Sequence, residues 1–212
     1  MTSVITGDII NSTQYKNSNE WLMPLKGALQ TISTNTKDWE IYRGDSFQIE
    51  IKDVYNCFIS AVYIKSCIKL VKGLDVRIAI GIGSKTFEGE SVTESNGSAF
   101  QESGNLIEHL KKNKANLKIS TGNHELDSEL NLYFKLISIP MDSWSSNSAE
   151  IVKLHLENEN KIQQEIAKII GISQDAVSKR MKRAYLDEIL EVNQMFKKKV
   201  AQNLLKNNDS IS

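Results

Sequence analysis

Residues 162–184 read IQQEIAKIIGISQDAVSKRMKRA. Ile162, Ile166, Ile169 and Ile170 recur at helical intervals, so a short helix is expected with these four on its inner face. Gly171 stops that helix, because glycine takes the left-handed conformation that a sharp exit needs. Ile172 plugs the corner, Ser173 can N-cap the next helix, and Asp175 falls near its positive end. The second helix is expected to bury Ala176, Val177 and Met181 and to turn Gln174, Ser178, Lys179, Lys182 and Arg183 outward. Small Ala167 lets the two helices cross closely. The layout is that of a helix-turn-helix, whose second helix enters the DNA major groove. A plain antiparallel helix pair shares the apolar spacing, but not the Ala–Gly–Ile–Ser placement with a basic outer face. On the DNA reading the contacts fall to Gln174, Asp175, Ser178, Lys179, Lys182 and Arg183. Gln174 and Ser178 would reach base edges, and the basic residues would mainly reach phosphates.

Upstream of this stretch, Ala149–Leu156 is expected as a supporting helix. Ser143–Ser148, rich in Ser and Asn around Trp144, is the expected boundary between a domain spanning 1–142 and a helical one spanning 145–206. Downstream, the second helix is expected to run on through Leu190 to Leu205. Its stripe of Ile189, Val192, Phe196, Val200 and Leu204 is either a homodimer seam or a face packed back on its own module. The closing NNDSIS, 207–212, reads as a disordered tail.

Formal charge over the 212 residues is zero, with 26 basic and 26 acidic side chains, but it is unevenly spread. Residues 1–150 hold 15 Lys+Arg against 18 Asp+Glu, and residues 151–206 hold 11 against 7. A weakly basic C-terminal part suits a polyanion, with binding sensitive to salt. No apolar run approaches membrane-spanning length, and the start MTSVITGDII lacks the features of a signal peptide. Cys57 and Cys67 fall on one expected helix, about 15 Å apart along its axis, too far to pair. A cytoplasmic chain with reduced thiols and no membrane partner is expected. His109, His124 and His155 have no metal-ligand spacing.

The N-terminal part reads as strand, helix, strand, strand, helix, strand. Thr2–Thr6 is a buried strand with Asp8 at its C-terminal end. Trp21, Leu22, Leu25, Ala28, Leu29 and Ile32 mark a helix. Trp39–Tyr42 and Phe47–Ile51 flank a tight turn at Arg43-Gly44-Asp45-Ser46. Asp53–Lys72 is a long striped helix. Leu74–Ile82 is a strand with little alternation, hence a central one. A helix over Ser98–Lys112, a strand at Leu117–Ser120 and a helix from Asn123 to Ile139, ended by Pro140, complete this part.

This is the split βαβ order of a ferredoxin-like or palm domain, so the fold class is α+β, with the βαββαβ unit followed by an all-α module. In that topology strands one and two run parallel with strand three antiparallel between them. Asp8 and Asp45 then meet at one end of the sheet. Paired carboxylates beside a glycine turn suit Mg²⁺ or Mn²⁺ carrying nucleotide phosphates. Gly7, Gly44 and the loop Asn11-Ser12-Thr13 would bring backbone N–H groups to those phosphates. Equally, the two aspartates could cap local turns or pair with Arg43 or Arg77.

GDIINST at 7–13 resembles the metal-binding strand end of class III nucleotide cyclases. YRGDSF at 42–47 resembles their hairpin, VRIAIGIG at 76–83 their following strand, and GSAFQESGNL at 97–106 the helix carrying their catalytic Asn and Arg. Residues 162–184 resemble the sigma-factor and bacterial-regulator helix-turn-helix. Taken in order over nearly the full length, the chain is most similar to the SatD-like family of bacterial proteins. The resemblance implies nucleotide contacts at Gln101 and Asn105, which fall at the catalytic Asn and Arg positions. A neutral Asn105 cannot supply the fixed charge that stabilises a transferring phosphoryl group. Ile41 stands where a cyclase places its base-selecting Lys or Glu. The expectation is therefore a DNA-binding transcription regulator whose cyclase-like domain binds a nucleotide or metal without turnover. The alternatives are a Mg²⁺-dependent nucleotidyl transferase or cyclase, and a protein-interaction adaptor.

Overall fold

The computed structural model describes residues 1–209, and the last three residues of the expected tail lie outside them. Among the described residues the fold is α+β, a five-stranded mixed sheet with eight α-helices. The strands are β1 (Thr2–Ile10), β2 (Trp39–Tyr42), β3 (Ser46–Ile51), β4 (Asp75–Gly83) and β5 (Leu117–Ser120). They lie in the order β2-β3-β1-β4-β5, every neighbouring pair antiparallel except β4 and β5. β1 and β2 therefore run parallel with β3 between them.

Alternation makes the two sheet faces chemically different. Ile5, Ile9, Phe47, Ile49, Val76, Ile78, Ile80 and Ile119 share one face and join the main core. This core includes α1 (Asn19–Ile32) and α2 (Cys57–Ile68). Almost every side chain of α2 is buried, because the sheet covers one side and C-terminal helices the other. The long striped helix expected over 53–72 is thus a shorter, fully enclosed one, preceded by a 3-10 turn at Val54–Asn56. Burial lifts the Cys57 thiol to about 12 and the Cys67 thiol to about 11, so both are inert.

The opposite face carries small and polar residues and packs on α3 (Ser98–Asn113). Close approach is possible because a Cβ on Gly81 would sit 2.2 Å from the Ala99 carbonyl oxygen. α4 (His124–Asp142) lies along the outer margin of β5. There the Asn131 amide accepts from the Ile119 N–H at 2.9 Å and donates to its carbonyl at 2.8 Å. Asp127 takes the next outward donor, the Thr121 N–H, at 2.8 Å. α4 continues past Pro140, which was expected to end it. The buried neighbours Ile137 and Met141 hold the last turn despite its missing donor.

The C-terminal helices are α5 (Ser146–Glu157), α6 (Gln163–Ile170), α7 (Gln174–Ala184) and α8 (Leu186–Asp209). The expected run-on from α7 into the final helix does not occur. Tyr185 adopts a left-handed conformation, φ 56°, and redirects the chain between buried Ala184 and Leu186. The stripe on α8 packs inward: Ile189, Phe196 and Val200 are buried against the same core as the sheet helices. Trp144, at the expected boundary, is buried too, and its indole N–H donates to the Ala184 carbonyl at 2.9 Å.

One ion network ties the start of β4 to the end of α4. Lys65, only 3% exposed, pairs with Asp75 and, at 2.7 Å, with Asp142; Lys69 reaches Asp75 at 3.1 Å and the Asp142 carbonyl at 2.7 Å. Removing Lys65 leaves half-buried Asp75 with Lys69 alone and exposed Asp142 without its cation. Lys65→Ala is expected to lose about 2 kcal/mol, less than a fully broken buried pair because Lys69 still neutralises Asp75. The midpoint of a urea unfolding curve measures it, and an unchanged midpoint would refute the role assigned to the network.

Candidate functional site

Asp8 is not at the end of its strand as expected but two residues inside it, opposite Ser46 of β3 and Arg77 of β4. Tyr42, Ser46, Asp8 and Arg77 form one row across β2, β3, β1 and β4, facing the α3 side. The next row contains Glu40, Gln48 and Thr6, with Gln48 donating to Thr6 at 3.0 Å and Thr6 to Ser103 of α3 at 3.0 Å. Ile41 points to the apolar face and packs on the core. Period-2 alternation places Glu40 and Tyr42, not Ile41, on the face with Asp8.

Asp45 lies in the hairpin turn one residue before Ser46, and its backbone carbonyl accepts from the Ile9 N–H at 3.1 Å. Its carboxylate accepts a hydrogen bond from Ser12, which is buried in the turn after β1. The two aspartates thus lie at one rim, close enough for the Asp45 charge to act on Asp8. Burial pushes the Asp8 carboxyl above its ordinary value, opposed by the charges of Arg77 and Lys111. The Arg77 guanidinium donates to Asp8 Oδ2 at 2.8 Å. Asp8 Oδ1 and Arg77 Nε are both buried without a partner. As they stand these residues do not fit Mg²⁺ or Mn²⁺. Arg77 already holds one Asp8 oxygen and supplies the counter-charge, and Lys111 adds more. Among the described residues no third acid, histidine or cysteine completes a metal cluster.

The remaining expected nucleotide contacts scatter. Gly7 is buried in β1 between β3 and β4, so its N–H belongs to the sheet, not to a phosphate. A Cβ there would sit 2.4 Å from the Phe47 ring, which accounts for the glycine. Asn11 is left-handed, φ 67°, and donates to the Gly73 carbonyl at 3.0 Å. Thr13 and Gly44 are exposed. Gln101 and Asn105 are exposed on α3, with Gln101 bonded to Asn96. The first turn of α3 lies over Gly81 and Gly83, opposite Val4 and Thr2, so Gln101 is at the far end of β1 from Asp8. A cleft of about 1040 Å³ between β5 and α4 is lined by residues such as Lys118, Asp127 and Lys135 and does not include the rim.

The second candidate surface is on α7. Gly171 is left-handed, φ 76°, at the end of α6, and Ser173 accepts from the Ala176 N–H at 3.2 Å. Val177, Met181 and Ala184 are buried, against α5 and α6. Gln174, Asp175, Lys179, Lys182 and Arg183 are exposed and Ser178 is half-buried, so all six expected contacts lie together on one helix. Lys179 pairs with Asp175 at 2.7 Å along the helix. Arg180, which the sequence did not single out, turns back to Glu150 of α5 at 2.6 Å. On α6 only Ile166 and Ala167 are fully buried; Ile162 and Ile169, expected inside, are exposed. An eight-residue helix packed chiefly on α7 has too narrow a contact to cover four isoleucines.

His155 on α5 lines a cleft beside Met181 and Leu186, with Nδ1 buried and unpartnered. Burial lowers its pKa, opposed by Glu159 and Asp187. Its neutral form is therefore the folded one: the stability it contributes is complete above the ordinary imidazole range and is lost as pH falls through the depressed value. Acidification from neutral to about pH 5, across the ordinary histidine range, is expected to lower Tm more in the wild type than in His155→Phe. Parallel Tm–pH curves would refute this.

No helix among the described residues is long and apolar enough to cross a membrane. No curated protein and no solved structure matches the chain. Comparison with protein-family models matches the SatD family (SatD) over residues 3–205, nearly the whole length. The chain belongs to the SatD family.

Proposed function

We propose that this chain is a DNA-binding transcription regulator that reads duplex DNA through a helix-turn-helix made of α6 and α7. The observation that carries the reading is the exposed face of α7, where Gln174, Lys179, Lys182 and Arg183 stand free of the core that holds Val177 and Met181. A helix held at its ends and along one side, with amide and cationic groups on the other, suits major-groove entry. The sheet part is a ferredoxin-like palm related to nucleotide cyclases, and it serves as a ligand-sensing unit for a nucleotide or similar messenger. Cyclase turnover is not part of the proposal: Asn105 carries no charge, and Gln101 lies far from Asp8.

Gel-shift titration of the full chain with genomic fragments tests the reading. The expected result is salt-dependent binding of a subset of fragments. Lys182→Gln and Arg183→Gln should each weaken binding to all fragments and lower the slope of log K against log salt by about 1. Gln174→Ala should change which fragments are preferred. Absence of binding at low salt would overturn the proposal.

A further inference from the structure

A cleft of about 650 Å³ lies beside the Asp8 rim, where the start of β4 and the loop before it meet the beginning of α5. Its walls include Arg77, Lys72, Lys114, Asn11, Trp144 and Ser146. Two carboxylates, Asp75 and Asp142, also line it, but Asp75 is held by Lys65 and Lys69 and Asp142 by Lys65. Lys72 and Lys114 are exposed and, among the described residues, form no ion pair. Arg77 is bound to Asp8 through one nitrogen only, and its buried Nε finds no acceptor. The opposite wall is Ser145 and Ser146, the N-cap and first residue of α5, a 12-residue helix whose dipole puts its positive end at this side of the cleft. The unbalanced charge of the cleft is therefore positive, and it comes from three different segments of the chain. A surface lysine is ordinarily solvated on its own; here two lysines, an under-used arginine and a helix start converge on one concavity of ligand size.

We propose that this cleft binds a small, multiply charged phosphate-bearing anion, and binds it without a metal ion. Lys72 and Lys114 carry the charge recognition, the start of α5 supplies backbone donors, and Arg77 turns its unused nitrogens toward the anion. No divalent cation is required, because the side chains already exceed the local acids in charge. The occupant touches Trp144, the residue whose indole holds the last carbonyl of α7. The inference does not rest on the DNA reading, since it concerns a different surface and ligand.

The test is calorimetric titration of the full chain with pyrophosphate in EDTA, repeated with ATP in EDTA. Binding of both is expected, with quenching or enhancement of Trp144 fluorescence that is absent in Trp144→Phe. The double variant Lys72→Gln/Lys114→Gln should weaken both ligands at least 10-fold, the loss expected when two charged contacts are removed. Its Tm should not change, because neither lysine is buried or paired. Asp8→Asn should retain binding. Two results would overturn the proposal: no binding in EDTA, or binding unchanged in the double lysine variant. Binding that requires Mg²⁺ and is lost in Asp8→Asn would move the ligand to the rim instead. The gel-shift outcome on the α7 variants is read separately, so failure here leaves the DNA proposal standing and the reverse.

Discussion

Three phenylalanine rings meet where the sheet layer joins the C-terminal helices. Phe58 of α2 stacks on Phe134 of α4 with centroids 4.7 Å apart, and Phe196 of α8 leans on both at about 6 Å. All three are fully buried. Aromatic contacts of this geometry add about 0.5–1.5 kcal/mol each beyond the area they bury. Their larger effect is topological. Each ring comes from a helix with a different allegiance, so the apolar core passes without interruption from the sheet to the helices that present α7. Removing any ring opens a cavity that both halves share.

That continuity explains which parts of the structure were legible in the sequence. β-strands with clean alternation, such as Phe47–Ile51, and the Gly171–Ser173 corner announce themselves because local physics alone determines them. Glycine at a left-handed exit and serine at an N-cap act within four residues. The antiparallel setting of β3 between β1 and β2 followed from the order of elements, which leaves few chiral and unknotted solutions. The end of α7 was not legible. Tyr185 takes a conformation that tyrosine disfavours, and it does so because Ala184, Leu186 and Trp144 are fixed by distant partners. Nor did periodicity reveal that α2 would be enclosed on all sides, since a fully buried helix and a striped one share many positions.

The candidate sites divide along the same line. The six α7 residues are neighbours in sequence and on one helical face, so their grouping needed only the helical period. The rim aspartates were brought together by topology, and the structure keeps them at one rim. What the sequence did not reveal was Arg77, placed directly opposite Asp8 by the β1–β4 register. A register is a long-range property, and from the sequence alone Arg77 was only one of two arginines that could meet either acid. The same register turns Ile41 inward and leaves Glu40 and Tyr42 on the polar face, a parity that a short edge strand fixes only through its partner.

The amide of Asn131 has a consequence for the molecule as a whole. By offering one acceptor and one donor to Ile119, it stands in for an absent neighbouring strand. A sixth strand, whether from another polypeptide or from a second copy, would find that position already taken. Together with Asp127 on the Thr121 N–H, this amide blocks growth of the sheet beyond β5 with side chains alone, a guard against self-templated aggregation that takes up no backbone of its own.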